Sequence, residues 1–383
     1  MDIECDVIVV GSGPAGIAAA IRLRELGIDV LLVDRESVRT GKPCGGGLTP
    51  KALQLLPWSV SSIVRHETQE ITFGLTRGSV SRSTVFRADR TVCAFVERSE
   101  FDALNLENAQ QRGVPFRRIA EVTAIQSELG RTTLSTSTGR LSARYLIGCD
   151  GANSSVRRLL AGCRGVACAF AIEGVANASG MSLPLPCEVT FGQVRGGYGW
   201  IFPKNDHVNV GLYTTDPRVK LSKAQLRAYL FERMSIENVG NIKGFPLCTD
   251  GGRMIAPRDG VLLAGDAAGM TEPLLGEGIH NALFSGRAAA EAIFAAIGEP
   301  VLDLTAEYRR RLGVLHLDLR RYELMRKLFY SRFDRAGFAV LSLPFVRRAF
   351  MQGYAEGKTM LEITNGFFIP SFPRYREVLP GGA

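Results

Sequence analysis

Three stretches of the chain share one pattern, in which a short apolar run leads into a turn that contains glycine and then into helical periodicity. The first stretch begins with the apolar run 5–10, continues as Gly-Ser-Gly-Pro-Ala-Gly, and becomes helical over 17–26. Gly27 ends this helix, and a second apolar run over 29–33 closes at Asp34. Apolar runs of this length between turn signals are typical of buried parallel strands, so the sequence predicts strand, turn, helix and strand in that order.

The other two stretches repeat the pattern later in the chain. Residues 145–158 lead from an apolar run into an Asp-Gly pair and the start of a helix. Residues 261–281 lead into a Gly-Asp pair and a glycine-spaced turn, and a long helix is predicted over 278–297. Because strands that alternate with helices indicate a parallel sheet, we predict an α/β fold with a Rossmann-like domain.

The first turn has the residues that a bound dinucleotide requires. Gly11 permits a tight turn, Gly13 lets the backbone reach a pyrophosphate, and Gly16 lets the helix approach the sheet. The helix N-terminus stabilises phosphate charge, and Asp34 can accept a hydrogen bond from a ribose hydroxyl. This motif alone leaves FAD and NAD(P) open. The Asp-Gly and Gly-Asp segments favour FAD, because an aspartate at such a strand end can bind a ribityl hydroxyl and the helix after Gly278 can face the flavin.

Strand-like segments also occur outside this domain. They lie at 70–76, 79–86, 91–96, 167–175, 188–194, 199–202 and 208–214, and a helix is predicted over 222–234. We assign them to an inserted antiparallel β-sheet, the substrate-binding domain, formed by residues 67–96 and 167–244. The FAD-binding domain then comprises residues 1–66, 97–166 and 245–300. A C-terminal helical region follows over 301–383.

Positive charge is concentrated in that C-terminal region. Residues 301–383 contain 14 Lys and Arg, 8 Asp and Glu and 13 aromatic residues, and so contribute +6 of the net charge of +8. A basic, aromatic surface can contact an anionic membrane or a phosphorylated substrate. Alternatively, the arginines are solvated residues on a packed helical cap, and the sequence leaves both interpretations open.

The remaining composition excludes several classes of protein. Hydrophobic residues make up 46% of the chain and charged residues 22%, values that indicate a buried core and exclude disorder. The eight cysteines include no CxxC pair, so no metal site is predicted. The N-terminus lacks a basic start and the chain lacks an apolar stretch of about 18 residues, so we expect neither a signal peptide nor a membrane span. We therefore expect a cytoplasmic protein with no nucleic-acid partner, for which peripheral membrane contact through the basic C-terminal region is one of the two interpretations left open above.

Taken together, the three motifs resemble those of flavoproteins of the p-hydroxybenzoate-hydroxylase type. The resemblance implies that Arg98, which precedes a helix ending at Gly113, lies near the flavin and its pyrophosphate, and that Val122 lies in the strand beside the adenine. The cofactor-binding residues predicted from the motifs and the resemblance are Gly11, Ser12, Gly13, Pro14, Ala15, Gly16, Asp34, Arg35, Cys44, Gly45, Arg98, Val122, Asp150, Gly265, Asp266, Gly276, Gly278 and Ile279.

Two segments narrow the resemblance to the geranylgeranyl reductases. Residues 42–50, Lys-Pro-Cys-Gly-Gly-Gly-Leu-Thr-Pro, resemble the Cys-Gly-Gly-Gly segment of that family, whose cysteine (here Cys44) lies near the flavin ring. Residues 198–203, Tyr-Gly-Trp-Ile-Phe-Pro, resemble its Tyr-x-Trp-x-Phe-Pro motif, which lines the substrate cavity. Gly269 stands where aromatic hydroxylases usually have histidine. Leu275 stands where the family commonly has threonine, and this exchange puts substrate preference in doubt.

The resemblance implies an FAD-dependent reductase that saturates C=C bonds of a geranylgeranyl chain in a lipid, a pyrophosphate or a chlorophyll-type substrate. Saturation requires a hydride from reduced flavin and a proton for the other carbon, and the predicted catalytic residues are Cys44, Tyr198 and Trp200. Cys44 can donate the proton or position the alkene; alternatively, it is a small residue packed beside three glycines. The electron donor is left open between NADPH and ferredoxin, the second of which would be a redox partner protein.

Two other functions are compatible with the same resemblance. A flavin-dependent monooxygenase or halogenase would use oxygen, and halogenases carry a similar Trp-x-Trp-x-Ile-Pro segment. They also require a lysine in a tunnel, and only Lys204 flanks the matching segment here. A quinone-linked electron-transfer flavoprotein would pass its electrons to a partner, although the chain has no cysteine cluster for an iron–sulfur centre.

Overall fold

The structure is a computed structural model that describes residues 3–36, 42–78, 80–128, 130–161, 166–182, 184–253, 255–256, 258–299, 301–331 and 334–366. The strands in this part of the chain are β1 (Ile3–Val10), β2 (Val30–Asp34), β3 (Gly47–Leu48), β4 (Val64–Thr68), β5 (Glu70–Arg77), β6 (Val80–Arg87), β7 (Cys93–Val96), β8 (Phe116–Arg118), β9 (Val122–Glu128), β10 (Arg131–Thr136), β11 (Gly139–Gly148), β12 (Cys168–Asn177), β13 (Glu188–Phe191), β14 (Gly197–Pro203), β15 (His207–Thr214), β16 (Gly240–Cys248) and β17 (Val261–Leu263). The helices are α1 (Pro14–Glu25), α2 (Pro50–Leu53), α3 (Arg98–Gln111), α4 (Ser155–Ala161), α5 (Lys223–Met234), α6 (Ile279–Gly298), α7 (Leu304–Arg311), α8 (Gly313–Phe329), α9 (Asp334–Ser342), α10 (Pro344–Ala355) and α11 (Met360–Asn365).

The first sheet contains the predicted strand, turn, helix and strand as β1, α1 and β2. Its strand order is β8-β2-β1-β11-β10-β9. Strand β17 pairs in parallel with the last residues of β11, Leu146 to Gly148. The neighbours β2, β1, β11 and β17 are parallel, so their carboxyl ends meet at one edge of the sheet. The three predicted motifs follow β1, β11 and β17 and therefore converge at this edge. The predicted α/β class with a Rossmann-like domain is confirmed.

The elements at this edge approach one another through backbone atoms. Gly11 has a φ of +107°, and a Cβ there would lie 2.4 Å from the carbonyl oxygen of Cys149. A Cβ on Gly16 would lie 1.8 Å from the carbonyl oxygen of Gly11. Helix α6 packs across α1 in the same way, because a Cβ on Gly286 would lie 2.0 Å from the carbonyl oxygen of Ala15. Only glycine permits these three contacts.

The second sheet has the order β16-β12-β15-β14-β13-β5-β6. The sequence predicts an antiparallel sheet, and every neighbouring pair is antiparallel except β13 and β5, which are parallel. The physical reason is that β5 and β13 come from segments far apart in the chain, so no hairpin turn fixes their relative direction. The boundary predicted between residues 244 and 245 falls within β16, which belongs to this sheet.

A small third sheet, in the order β3-β7-β4, holds the strand predicted over 91–96. That strand was assigned to the substrate-domain sheet, but β7 instead pairs antiparallel with β4 and with Gly47 and Leu48 of β3. This pairing fixes the end of the 42–50 segment, and it therefore determines where Cys44 lies.

The two faces of the second sheet pack against different partners. On one face, Ile201 and Val210 pack against Leu226 and Tyr229 of α5, a helix that begins with a capping box at Ser222. On the opposite face, the alternate residues of β14 turn toward the first sheet and the C-terminal helices. Helix α5 therefore covers one face, and the other face lines an interior space together with the first sheet and the C-terminal helices.

The predicted C-terminal helical region contains α7 to α11, and residues 367–383 lie outside the described residues. A buried ion pair connects it to the rest of the molecule, since Lys51 Nζ lies 2.6 Å from Glu277 Oε2 and 3.3 Å from the hydroxyl of Tyr322 on α8. Burial opposes the charge of Lys51, but Glu277 and Asp318 outweigh it and raise the lysine pKa. Among the described residues, no helix combines the length and apolar character needed to cross a membrane.

Replacing Gly286 by alanine is expected to destabilise the fold by about 1–3 kcal/mol, because the new methyl group overlaps a backbone carbonyl that cannot move aside. Gly298→Ala is the matched control, since Gly298 lies in the same helix and a Cβ there would have no neighbour within 4 Å. Alanine in an open helical position should raise stability by about 1 kcal/mol or less. Urea denaturation of both variants measures the difference, and equal effects would contradict the close-packing argument.

Candidate active site

A large cavity lies between the carboxyl edge of the first sheet and the face of the second sheet that is opposite α5. It encloses about 1620 Å³ of space, part of it open to solvent. The predicted site residues that line it are Gly13, Pro14, Ala15, Cys44, Gly45, Arg98, Tyr198, Trp200, Asp266, Gly276, Gly278 and Ile279.

The glycine turn after β1 fits a dinucleotide. Helix α1 begins after Gly13, and no described side chain caps its N-terminus. Asp34 is buried at the end of β2, where its Oδ2 accepts hydrogen bonds from the amide (2.6 Å) and hydroxyl (2.8 Å) of Ser12. The amide of Arg35 donates to Asp34 Oδ1 over 2.7 Å, while the Arg35 side chain is exposed. The acidic residue thus holds the shape of the turn, and the helix end is left open to an anionic group.

Asp266 is the aspartate that reaches the cavity. Its Oδ2 accepts from Lys42 Nζ over 2.9 Å and its Oδ1 from the Thr271 hydroxyl over 2.5 Å. Burial alone would raise the pKa of Asp266, but Lys42 and Thr271 outweigh burial and hold that pKa below its ordinary value. The segment is close-packed, since a Cβ on Gly278 would lie 2.9 Å from Thr271 Oγ1.

Three other predicted cofactor residues lie around the cavity rather than in its lining. Both carboxylate oxygens of Asp150 are used by its own segment, since they accept from the Ser154 hydroxyl (2.5 Å) and the Ser155 amide (2.6 Å) at the start of α4. Val122 is buried at the start of β9. Gly265 begins a short 3-10 turn with a φ of +59°. Asp150 therefore shapes this edge as a helix cap, and its neighbour Gly151 lines the cavity.

The three glycines after Cys44 pack too tightly for any side chain. A Cβ on Gly45 would lie 2.7 Å from Phe202 Cδ2, and one on Gly47 would lie 3.0 Å from Cys93 Sγ. Gly46 has a φ of +74°, and its Cβ would lie 2.0 Å from a backbone oxygen. The glycines therefore pack against the aromatic wall with their backbone, and Cys44 lines the cavity just before them.

Cys44 is held from both sides. The Gly46 amide donates to Cys44 Sγ over 3.4 Å, and the buried guanidinium of Arg98 contacts the same sulfur. Arg98 also donates to Asp102 over 3.0 Å. Burial opposes the charge of Arg98, but Asp102 and Cys44 outweigh burial and raise the arginine pKa. Arg98 thus keeps a positive charge at the cavity, next to the thiol.

Glu173 is a site residue that the sequence reasoning missed. It lies on β12 and is buried, and its Oε1 accepts a hydrogen bond from the Cys44 amide over 2.7 Å. It also contacts Asn209, whose Oδ1 accepts from the indole nitrogen of Trp200 over 2.7 Å. Burial raises the pKa of Glu173 to about 7 against the opposing effects of Cys44, Asn209 and Lys204. A single charged residue within the apolar strand Ala-Phe-Ala-Ile-Glu-Gly-Val was the available signal.

Tyr198 and Trp200 form part of an aromatic wall. Their rings are 5.9 Å apart, and Gly211 on the next strand makes room for the indole, since a Cβ there would lie 2.0 Å from Trp200 Cζ2. The Tyr198 hydroxyl donates to the carbonyl of Leu275, and burial raises the tyrosine pKa well above its ordinary value. Tyr198 is therefore neutral and fixed in place.

The C-terminal helices complete the wall, and the sequence reasoning did not foresee this. Phe350, Met351 and Tyr354 of α10 line the cavity. Apolar side chains from the second sheet and neighbouring segments face them, and these are Ile71, Phe73, Phe95, Val189, Phe202, Tyr213, Phe245 and Leu247. One end of the cavity is thus polar and rich in glycine, and the other is an apolar, aromatic chamber.

The two ends meet at the start of α6. Glu277 lines the cavity and accepts from the His280 amide over 3.0 Å. Burial, aided by Lys51, lowers the pKa of His280 to about 4, so its imidazole is neutral. Glu272 accepts three backbone N–H groups, and burial raises its pKa to about 7. The turn thus satisfies Glu272, while Glu277 also pairs with Lys51 of α2.

Comparisons with known proteins agree with this arrangement. The FAD binding domain family matches residues 4–193. An uncharacterised protein of Methanosarcina barkeri is 32% identical over 88% of this chain and 87% of its own length. Digeranylgeranylglycerophospholipid reductase 2 of Methanopyrus kandleri is 30% identical over 80% of this chain and 81% of its own length. Menaquinone reductase of Mycobacterium tuberculosis is 31% identical over 76% of this chain and 77% of its own length.

Solved structures share the fold. A geranylgeranyl bacteriochlorophyll reductase-like protein from Thermoplasma acidophilum has a TM-score of 0.75 at 19% identity, covering 99% of this chain and 98% of its own. A flavin-dependent brominase has a TM-score of 0.71 at 16% identity, covering 95% and 98% respectively. At these identities the likeness establishes architecture and leaves the reaction to other arguments.

Glu173→Gln is expected to reduce the change in the free energy of unfolding between about pH 4.5 and about pH 7. The pKa of Glu173 is about 7 in the folded protein against an ordinary value of 4.5, so the folded state binds more protons between these values. Stability therefore falls as pH rises from about 4.5 to about 7 and levels off above that, by on the order of 2 kcal/mol for this group. Urea denaturation at several pH values should show a smaller decline in the variant. An unchanged pH profile would show that Glu173 ionises normally in the fold.

Proposed function

Because the chain belongs to the geranylgeranyl reductase family of FAD-dependent oxidoreductases, we propose that it saturates C=C bonds of a polyprenyl chain held in the apolar chamber. The observation that carries this proposal is the junction of the cavity, where Cys44 lies between the glycine-rich end and the aromatic wall of Tyr198 and Trp200. A flexible isoprenoid chain suits a chamber lined by aromatic and aliphatic side chains.

The donor set at the polar end fits FAD. The open N-terminus of α1 at Gly13 suits the pyrophosphate, and Asp266 offers carboxylate oxygens to a sugar-like hydroxyl chain. Arg98 adds a buried positive charge at the same end. When bound there and reduced by the electron donor, the flavin would supply a hydride to the substrate.

The chain's own residues then position the alkene, exclude water and deliver the proton. Trp200 is fixed by Asn209 and Tyr198 by the Leu275 carbonyl, so both rings offer rigid apolar surfaces to the prenyl chain. Cys44 Sγ accepts from the Gly46 amide, and its S–H stays available as a proton donor at the cavity. We assign Cys44 the proton transfer and the two aromatic residues the positioning.

The position of Lys204 supports reduction over halogenation. Its Nζ donates to the carbonyl of Val96 and lies 3.5 Å from Glu97 Oε1. The side chain is 2% exposed and lies beneath the glycine loop, since a Cβ on Gly46 would be 2.5 Å from its Nζ. Lys204, the lysine that a halogenase would need, therefore binds the backbone of Val96 instead of facing the chamber. The chamber also argues against the electron-transfer alternative. A protein that passes electrons to an external partner does not need an apolar chamber for a substrate.

The substrate enters, in this proposal, from an anionic membrane at the α9–α10 corner. Val340, Leu343 and Phe345 are exposed there, Phe345 by 67%, beside Arg347 and Arg348. Apolar side chains next to basic ones suit the interface of an anionic bilayer. The same helix α10 lines the chamber, which connects the corner to the site.

Two arginines of the basic C-terminal region, Arg321 and Arg326 of α8, are engaged within the protein. Arg326 pairs with Glu323 and also donates to Thr215. Arg321 donates to Asn365 of α11. Because these side chains connect elements of the protein, we place the membrane contact at the α9–α10 corner and not on α8.

The reductase proposal predicts a gain of two hydrogen atoms for each bond reduced. FAD-loaded protein, reduced with dithionite under anaerobic conditions, is incubated with a geranylgeranyl lipid or geranylgeranyl pyrophosphate, and the masses of the products are measured by mass spectrometry. Dithionite makes the result independent of whether NADPH or ferredoxin is the donor. The proposal fails if no substrate gains mass while oxygen-dependent hydroxylation or halogenation occurs.

Cys44→Ser is expected to slow turnover about 100-fold or more if the thiol transfers the proton, because a hydroxyl is a far weaker acid. Substrate KM should change little, since the two side chains are similar in size. Cys5→Ser on β1, remote from the cavity, is the control. Wild-type turnover in Cys44→Ser would remove the thiol from the reaction and leave the flavin assignment intact.

Phe345→Ser is expected to weaken co-sedimentation with vesicles containing anionic phospholipid, because it removes the most exposed aromatic side chain of the α9–α10 corner. Phe231→Ser on α5 is the matched control, since Phe231 is also exposed, by 53%, on another face of the protein. Equal binding by both variants would contradict the assignment of the corner as the membrane contact.

A further inference from the structure

Two cysteines face each other across the edge of the second sheet, outside the cavity. Cys168 begins β12 and Cys248 ends β16, and the two are direct partners in the antiparallel register. Their sulfur atoms are 3.0 Å apart, and both are free thiols. Opposed residues in antiparallel strands have Cα atoms about 4.5–5.5 Å apart, within the range that a disulfide bridges. A covalent bond therefore requires only a small movement of the two sulfurs.

The two thiols differ in access. Cys168 is exposed and lines a shallow surface pocket together with Phe170, Asp216 and Lys220. Cys248 is buried, and its Sγ lies 3.4 Å from the carbonyl oxygen of Ala152. A small oxidant in solution thus reaches Cys168 first, and Cys248 is placed behind it to complete the reaction.

The surroundings favour a thiolate on Cys168. The Cys248 thiol donates to it and lowers the Cys168 pKa, burial opposes this, and the guanidinium of Arg157 lowers it further. Arg157 is itself anchored by the carbonyl oxygens of Ala267 (2.7 Å) and Ala152. The thiolate is the form that attacks a disulfide, so the exposed cysteine is also the reactive one.

We propose that Cys168 and Cys248 form a dithiol oxidation site that takes up low-molecular-weight disulfides such as glutathione disulfide. The Cys168 thiolate attacks one sulfur of glutathione disulfide, which forms a mixed disulfide and releases one glutathione. Cys248 then loses its proton and attacks Cys168 Sγ, which forms the Cys168–Cys248 bond and releases the second glutathione. The two cysteines lose two electrons and two protons, and glutathione disulfide gains both.

The bond would act on the cofactor edge of the cavity. The Cys248 carbonyl accepts from the Thr271 amide over 3.1 Å, and the Thr271 hydroxyl donates to Asp266. Leu247, the residue before Cys248, lines the chamber. Cross-linking β12 to β16 should therefore restrain the segment that holds Asp266, and we expect the oxidised protein to unfold at a higher temperature and to release FAD more slowly.

The test uses the FAD-loaded protein in glutathione buffers of increasing disulfide content. Remaining thiols are blocked with N-ethylmaleimide, and peptides are analysed without reduction. We expect one cross-linked peptide pair containing Cys168 and Cys248, with the loss of two blocked thiols, and full reversal by dithiothreitol. Cys248→Ser should stop at a glutathione adduct on Cys168, and Cys168→Ser should leave Cys248 reduced.

Two results would overturn the proposal. In the first, both cysteines of the wild-type protein stay open to alkylation at every buffer ratio. In the second, the wild-type protein accumulates the Cys168 glutathione adduct without closing the bond. Both are read from the wild-type protein, so neither depends on the folding of a variant, and neither bears on the reductase proposal.

Discussion

Backbone-to-backbone contact at positions without a Cβ is the constraint on which the rest of this structure depends. Gly11 against Cys149, Gly16 against Gly11 and Gly286 against Ala15 bring two strand ends and two helices closer than any side chain would allow. The carboxyl edge of the first sheet can therefore present amide groups and a helix end to a ligand without intervening side chains. Larger residues at these points would separate the elements, and the three motifs would no longer converge.

A second set of contacts joins the polar, glycine-rich end of the cavity to its aromatic chamber. Glu173 binds the Cys44 amide and contacts Asn209, and Asn209 binds the indole of Trp200. The loop that carries the thiol and the strand that carries the aromatic wall therefore share one buried carboxyl group. Such a shared polar group fixes relative position more precisely than apolar packing, because an unpaired buried partner is costly.

The sequence predicted most of the first sheet, because each of its motifs is local: an apolar run, a turn that requires glycine, and a helix. It also placed Cys44, Tyr198 and Trp200 on one cavity through recognisable segments. It did not predict Glu173, the parallel pairing of β13 with β5, or the walls from α10, since each depends on contacts between distant segments. Asp150 illustrates the same limit, because the sequence marks a strand-end aspartate but not whether its oxygens turn to a ligand or to the next helix.

Helix α10 supplies one wall of the chamber although it lies far along the chain from the residues that form the polar end. Its inner side chains Phe350, Met351 and Tyr354 set the length and width available to a hydrocarbon. If the chamber holds the proposed prenyl chain, variation in this helix would change which chain lengths fit while the residues of the polar end stay the same. One peripheral helix would then alter substrate preference during divergence, independently of the sheet that binds the cofactor.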